Sequence, residues 1–93
     1  MRSYEFVAVF RVKEDNYTTG LKAVKEIFQK FDVTVASEED MGDRLLAYPV
    51  KKEERGHYHL FNIEADPAGI IKIEDNLKLK SELLKYLFVK KES

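Results

Sequence analysis

The sequence of 93 residues contains no cysteine. Disulfide bonds and thiolate metal sites are therefore excluded, and a reducing compartment is the expected environment. No apolar run approaches the roughly 20 residues that span a bilayer, and the polar N-terminus does not have the form of a secretory signal. We therefore expect a cytoplasmic protein that has no membrane partner.

A charge excess of one sign is lacking as well, because 16 lysines and arginines face 17 aspartates and glutamates, for a net charge of −1. Nonspecific binding to nucleic acid usually requires a basic excess. Any phosphate contact must therefore depend on where the lysines lie. Hydrophobic residues make up 44% of the chain and charged residues 35%, which is typical of a folded protein, and the length predicts one domain over residues 1–93.

The periodicity of apolar residues predicts four strands and two helices. The strands are expected at residues 3–12, at 33–37 continuing through 44–50 after a bend, at 58–65 and at 83–89. The first helix is predicted from apolar residues spaced three and four apart, Leu21, Val24, Ile27, Phe28 and Phe31, with Asn16, Thr18 or Thr19 as its cap. The segment Asp-Pro-Ala-Gly at 66–69 is expected to close the third strand and open the second helix, whose apolar stripe is Ile70, Ile73, Leu77 and Leu79.

The order β-α-β-β-α-β predicts an α+β fold, the ferredoxin-like arrangement of a four-stranded antiparallel sheet with two helices on one face. In this topology the first and third strands are central, and the second and fourth are edges. Pro49 independently favours an edge position for the second strand, because proline cannot donate a ladder hydrogen bond.

Two helices cover only one face of such a sheet. The helix side is expected to carry Phe6, Ala8, Phe10, Phe61, Ile63, Tyr86 and Phe88. The open side is expected to carry Val7, Val9, Tyr58, Leu60, Leu87 and Val89, joined by some of Leu46, Tyr48 and Val50. This open side is either a partner site or an ordinary half-exposed sheet face.

No constellation predicts catalysis. His57 and His59 share one side of a strand, but zinc generally requires three or four protein ligands, so no metal site or other cofactor is expected. The neighbouring acids at 38–40 and 53–54 are typical of solvated turns. The segment 55–61 is only faintly similar to an RNA-recognition signature. No nucleotide-binding or nucleophile-elbow pattern occurs, and no small-molecule substrate is expected.

The main concentration of positive charge is Lys78, Lys80, Lys85, Lys90 and Lys91, with Arg2 expected nearby on the neighbouring first strand. Such a cluster either neutralises phosphates or is a solvated helix end and tail.

The whole chain resembles the bacterial small-subunit ribosomal protein S-six family. The resemblance begins with Arg-Ser-Tyr-Glu at 2–5, is most specific in Gly-Asp-Arg-Leu-Leu-Ala-Tyr-Pro-Val at 42–50, and continues through Lys52 and Gly-His-Tyr at 56–58. It ends with Asn-Leu-Lys-Leu-Lys at 76–80 and Leu-Leu-Lys-Tyr-Leu-Phe-Val-Lys at 83–90.

The resemblance implies the same βαββαβ fold and a non-catalytic role in the small ribosomal subunit. It further implies binding to the central domain of small-subunit ribosomal RNA as a heterodimer with ribosomal protein S-eighteen. The implied RNA-binding residues are Arg2, Tyr4, Lys78, Lys80, Lys85 and Lys90. The implied partner-binding residues are Arg44, Leu46, Tyr48 and Leu60.

Several arginines of the family are lysines here, which removes the planar fork that binds phosphate in a bidentate manner. Leu84 stands where a basic residue is common. The alternative function is a free-standing ferredoxin-like interaction module that dimerises through its open sheet face.

Overall fold

The computed structural model describes residues 2–91 and has the predicted element order. The elements are β1 (Arg2–Phe10), α1 (Asn16–Lys30), β2 (Thr34–Val50), β3 (Glu53–Ala65), α2 (Pro67–Leu77) and β4 (Leu83–Lys90). The sheet order is β2-β3-β1-β4 with every pair antiparallel. The ferredoxin-like prediction and the edge position of β2 are therefore confirmed. Within residues 2–91, neither helix is long and apolar enough to cross a membrane.

The main core lies between the sheet and the helices, as the alternation in β1 and β3 predicts. The ring of Phe6 is fully buried, 5.3 Å from the ring of Phe28 on α1 and 4.6 Å from that of Phe88 on β4. Ile73 and Leu77 close the core from α2. All seven residues assigned to the helix side belong to this core or pack against it.

Several predicted element ends are wrong. α1 begins at Asn16 after the N-cap residue Asp15, whose side chain makes no capping bond, so the predicted caps lie inside the helix. The side-chain amide of Asn16 instead donates a hydrogen bond to the carbonyl of Lys13. Leu79 follows the end of α2 and is 81% exposed, so it is not part of the apolar stripe. The start of α2 is as predicted, because the carboxylate of Asp66 accepts a bond from the amide of Ala68.

β2 is one continuous strand whose bends are register shifts. One shift lies beside Gly42, which adopts the left-handed value φ +79°. A larger shift lies between the pairs Leu45↔Arg55 and Val50↔Glu53, where residues 46–49 of β2 lie opposite the single residue 54 of β3. Pro49 lies in that extra length, so its missing N–H removes no ladder bond. The turn itself is only Lys51–Lys52, and β3 therefore begins at Glu53, five residues before its predicted start at residue 58.

The larger bulge folds the end of the hairpin formed by β2 and β3 over the open face of the sheet. Leu46 is buried there against Val9 and Leu84 in a second, smaller core, with Val50 and Tyr58 packed beside them. The open face is thus covered at one end by the chain's own hairpin, which corrects the expectation that the whole face is free. It also corrects the expected role of Leu46, whose side chain contacts its own chain and is only 6% exposed.

Candidate functional site

The uncovered part of the open face forms an apolar groove of about 300 Å³. Its lining is Val7, Val9, Tyr58, Lys85, Tyr86 and Leu87. Leu87 and Val89 on the edge strand β4 are exposed, and Leu60 extends the same face as the register partner of Val7. A continuous apolar surface that the chain leaves to solvent is typical of a binding site for another macromolecule.

Two cations lie over aromatic rings beside this groove. The guanidinium of Arg44 is 6.0 Å from the ring centre of Tyr58, and the ammonium group of Lys85 is 5.8 Å from that of Tyr48. Tyr48 is nevertheless 67% exposed. Three of the four predicted partner-binding residues, Arg44, Tyr48 and Leu60, therefore surround the open face, and Leu46 lies beneath the hairpin as part of its support.

A basic cleft adjoins the groove where the α2–β4 connection meets the tip of the β2–β3 hairpin. Three predicted RNA-binding residues, Lys78, Lys80 and Lys85, line this cleft together with Lys51. Sequence reasoning missed Lys51, because two lysines in a turn give no signal that one of them reaches a distant element. Lys85 lines both the cleft and the groove.

The other predicted RNA-binding residues lie elsewhere. Lys90 pairs with Tyr4 at the far end of β4, about 16 Å along the strand from Lys85 at the usual rise per residue. Arg2 is exposed beyond it at the start of β1. Tyr4 is buried in the main core with its ring 6.4 Å from that of Phe88. Its ring therefore offers no free face on which a base could stack, and its predicted contact with RNA stays a prediction.

The two histidines lie under α1 within a polar network. The ring of His57 stacks on Tyr17 at 3.6 Å, and its nitrogens are 2.6 Å from a carboxylate oxygen of Asp40 and 3.0 Å from one of Asp43. The hydrogen bond from His57 is the main cause that lowers the pKa of Asp40, with the amide of Gly42 also donating to that carboxylate.

His59 is buried and makes hydrogen bonds through both ring nitrogens. Nε2 donates to Glu38 at 3.0 Å, and Nδ1 lies 2.9 Å from the hydroxyl of Tyr17. Burial acts to raise the pKa of Glu38, but hydrogen bonds from Lys25 and His59 outweigh it and lower the pKa. Burial together with the nearby Asp40 raises the pKa of Tyr17. Within residues 2–91 no group of three His, Cys, Asp or Glu side chains is arranged to hold a metal ion. The network joins α1 to the sheet through Tyr17, which contacts His59, and through Lys25, which pairs with Glu38.

The comparisons with known proteins agree on one family. A family model described as Ribosomal protein S6 matches residues 3–90. A small ribosomal subunit protein bS6 of Treponema denticola is 50% identical over 92 residues, which cover 99% of both chains. The bS6 protein of Treponema pallidum (strain Nichols) is 41% identical over 93 residues, the whole of both chains.

Two solved structures have the same fold. The crystal structure of 30S ribosomal protein S6 from Thermotoga maritima superposes with a TM-score of 0.87 at 20% identity, covering 97% of this chain and 87% of that one. The C-terminal domain of the MgtC protein from Mycobacterium tuberculosis gives a TM-score of 0.61 at 14% identity, covering 99% and 89%. At such low identity, both likenesses concern the fold alone.

Proposed function

Because the chain belongs to the ribosomal protein S6 family, a structural and non-enzymatic component of the small ribosomal subunit, we propose that it binds the central domain of small-subunit ribosomal RNA as a heterodimer with ribosomal protein S-eighteen. The site of action is then the ribosome in the cytoplasm. We also propose that residues 1–93 act as one domain, since residues 2–91 share one sheet and one main core.

The observation that carries this proposal is that the apolar groove and the lysine cleft adjoin each other and share Lys85. The apolar groove offers a docking site for a protein, and the lysine cleft beside it offers a site for phosphate. A partner on the groove would therefore extend over the edge of the cleft. The net charge of −1 supports a basic partner, since this chain alone has little long-range attraction for RNA.

The proposed partner surface comprises Arg44, Tyr48 and Leu60 around the open face, and the proposed RNA contacts are Lys78, Lys80 and Lys85 with Arg2 and Lys90 at the opposite end. Filter binding to a transcribed central-domain RNA fragment tests the cooperative model. The chain alone should bind weakly, and the addition of S-eighteen should give tight binding that weakens with salt. Equal affinities with and without S-eighteen would contradict the proposal.

Tyr48→Asp tests the partner surface directly. The side chain of Tyr48 is 67% exposed, so the fold should remain intact, while a carboxylate at the docking surface should weaken the heterodimer at least tenfold by calorimetry. Leu60→Asp should act in the same direction. The matched control is Ile71→Asp, because Ile71 is 69% exposed but lies on α2, behind the opposite face of the sheet. Unchanged association of both open-face variants would exclude this surface.

A further inference from the structure

We propose that Lys51, at the tip of the β2–β3 hairpin, completes with Lys78, Lys80 and Lys85 a pocket for a phosphate group of the RNA backbone. The inference rests on the proposed RNA-binding function and adds to it a residue and an element that sequence reasoning did not include. The hairpin tip then takes part in RNA binding through its charge.

The position of Lys51 is set by the bend of the hairpin. Leu46 packs on Val9 and Leu84 on the open face, which brings the tip to the start of β4. There the ammonium group of Lys51 donates to the carbonyl of Leu83 at 3.3 Å. Residues distant in sequence, one in a hairpin turn and three around the α2–β4 connection, therefore line one cleft.

The cleft suits an anion in size and charge. Its volume is about 130 Å³, and its lining is completed by Leu77, Leu83, Leu84 and Tyr86. No aspartate or glutamate is among its lining residues. Within residues 2–91 none of the four lysines forms an ion pair, and the nearby Glu53 is engaged by Arg11 and Lys13. Four lysines in the lining make the cleft a favourable place for a phosphate, which would also offset the carboxylates of Glu74 and Asp75 that act on Tyr86 at its margin.

The backbone of the turn supports the same conclusion. Lys51 and Lys52 both have positive φ, 50° and 67°. A two-residue turn with this geometry favours Asn-Gly, and two lysines adopt it at a conformational cost. Strained residues of this kind concentrate at functional sites. Since only Lys51 of the two lines the cleft, Lys52 is a matched control with the same charge and the same backbone region.

The test uses the full chain with S-eighteen and the central-domain RNA fragment, with affinities measured between 50 and 200 mM KCl. Lys51→Gln should reduce the slope of log affinity against log salt by about one. The ratio of wild-type to variant affinity should then shrink about threefold to fourfold across this range. Lys52→Gln should keep the wild-type slope, and Lys51→Arg should restore it.

The outcomes separate this inference from the proposed function. If the wild-type heterodimer fails to bind the RNA tightly, the proposed function is wrong and the inference fails with it. If the wild type binds but Lys51→Gln and Lys52→Gln have the same slope, only the inference is overturned. Urea unfolding of the two variants should give equal midpoints, because the 3.3 Å bond from Lys51 is long for a charged donor. A midpoint lowered only for Lys51→Gln, with an unchanged slope, would assign the residue to stability and also overturn the inference.

Discussion

Replacing Leu46 by alanine tests whether the β2–β3 hairpin is held on the open face by the small core beneath it. The side chain is 6% exposed and packs with Val9 and Leu84. The adjacent Leu45 is 69% exposed, so the same substitution there removes the same atoms from a site in contact with water. Comparing the two variants therefore separates the effect of burying the leucine side chain from the effect of the leucine-to-alanine change itself.

The magnitude follows from the size of the cluster. Truncating a buried leucine to alanine costs about 2–5 kcal/mol, and the value depends on how well the site can collapse. The small core lies at the surface of the sheet, with the half-buried Val50 and Tyr58 at its margin, so its neighbours can move into the space. We therefore expect a loss of about 2–3 kcal/mol for Leu46→Ala and of at most about 0.5 kcal/mol for Leu45→Ala.

Urea unfolding followed by circular dichroism measures both losses by linear extrapolation. The slope of the unfolding free energy against urea concentration should be the same for the two variants, because neither substitution changes the surface exposed on unfolding by much. Equal losses of stability, or a loss of less than about 0.5 kcal/mol for Leu46→Ala, would show that the hairpin is not held in this way. The description of a partly covered open face would then be wrong.

Two further predictions concern the same sheet. Gly56→Ala should destabilise the protein by about 1–3 kcal/mol, since its Cβ would lie 2.3 Å from a methyl carbon of Val9. Gly69→Ala, with free space on α2, should stabilise it by about 0.5–1 kcal/mol. A Gly56→Ala variant that unfolds at or above the wild-type temperature, or a Gly69→Ala variant that unfolds below it, would contradict the packing. Asp40 has a lowered pKa in the folded state, so its stabilising contribution is complete above the ordinary pKa of 3.8 and is lost as the pH falls below it. Asp40→Asn should therefore lose less stability than the wild type between pH 5 and about pH 2 when urea unfolding is repeated at each pH, and equal losses would contradict the role of the Asp40 carboxylate.

The topology was readable from the sequence because its signals are local and agree with one another. Apolar residues on both sides of β1 predict a central strand, and Pro49 predicts an edge, which together fix the places of these strands in the sheet. Asp66 followed by Pro67 fixes the start of α2 by a capping bond that the structure contains.

The bend of the hairpin was not readable, because it depends on a bulge that breaks the two-residue period of β2. Neither lysine of the turn is a residue that predicts a two-residue hairpin, so the sequence predicts a longer connection between residues 50 and 58. Only the resemblance implies an RNA contact for Tyr4, whereas the alternation of Tyr4 with Phe6 in β1 predicts a position on the helix side, in the core where the structure places it.

The bend connects the two proposed binding surfaces through one element. The same shift of register that buries Leu46 brings Lys51 to the start of β4 and sets Tyr48 beneath the ammonium group of Lys85. A protein seated on the groove would hold the hairpin in this position, and an ordered hairpin holds the lysine cleft in the form that accepts phosphate. Binding of either partner then reduces the ordering cost that remains for the other. Such a coupling free energy is reciprocal. RNA should therefore raise the affinity of this chain for its protein partner by the same factor by which that partner raises the affinity of this chain for RNA.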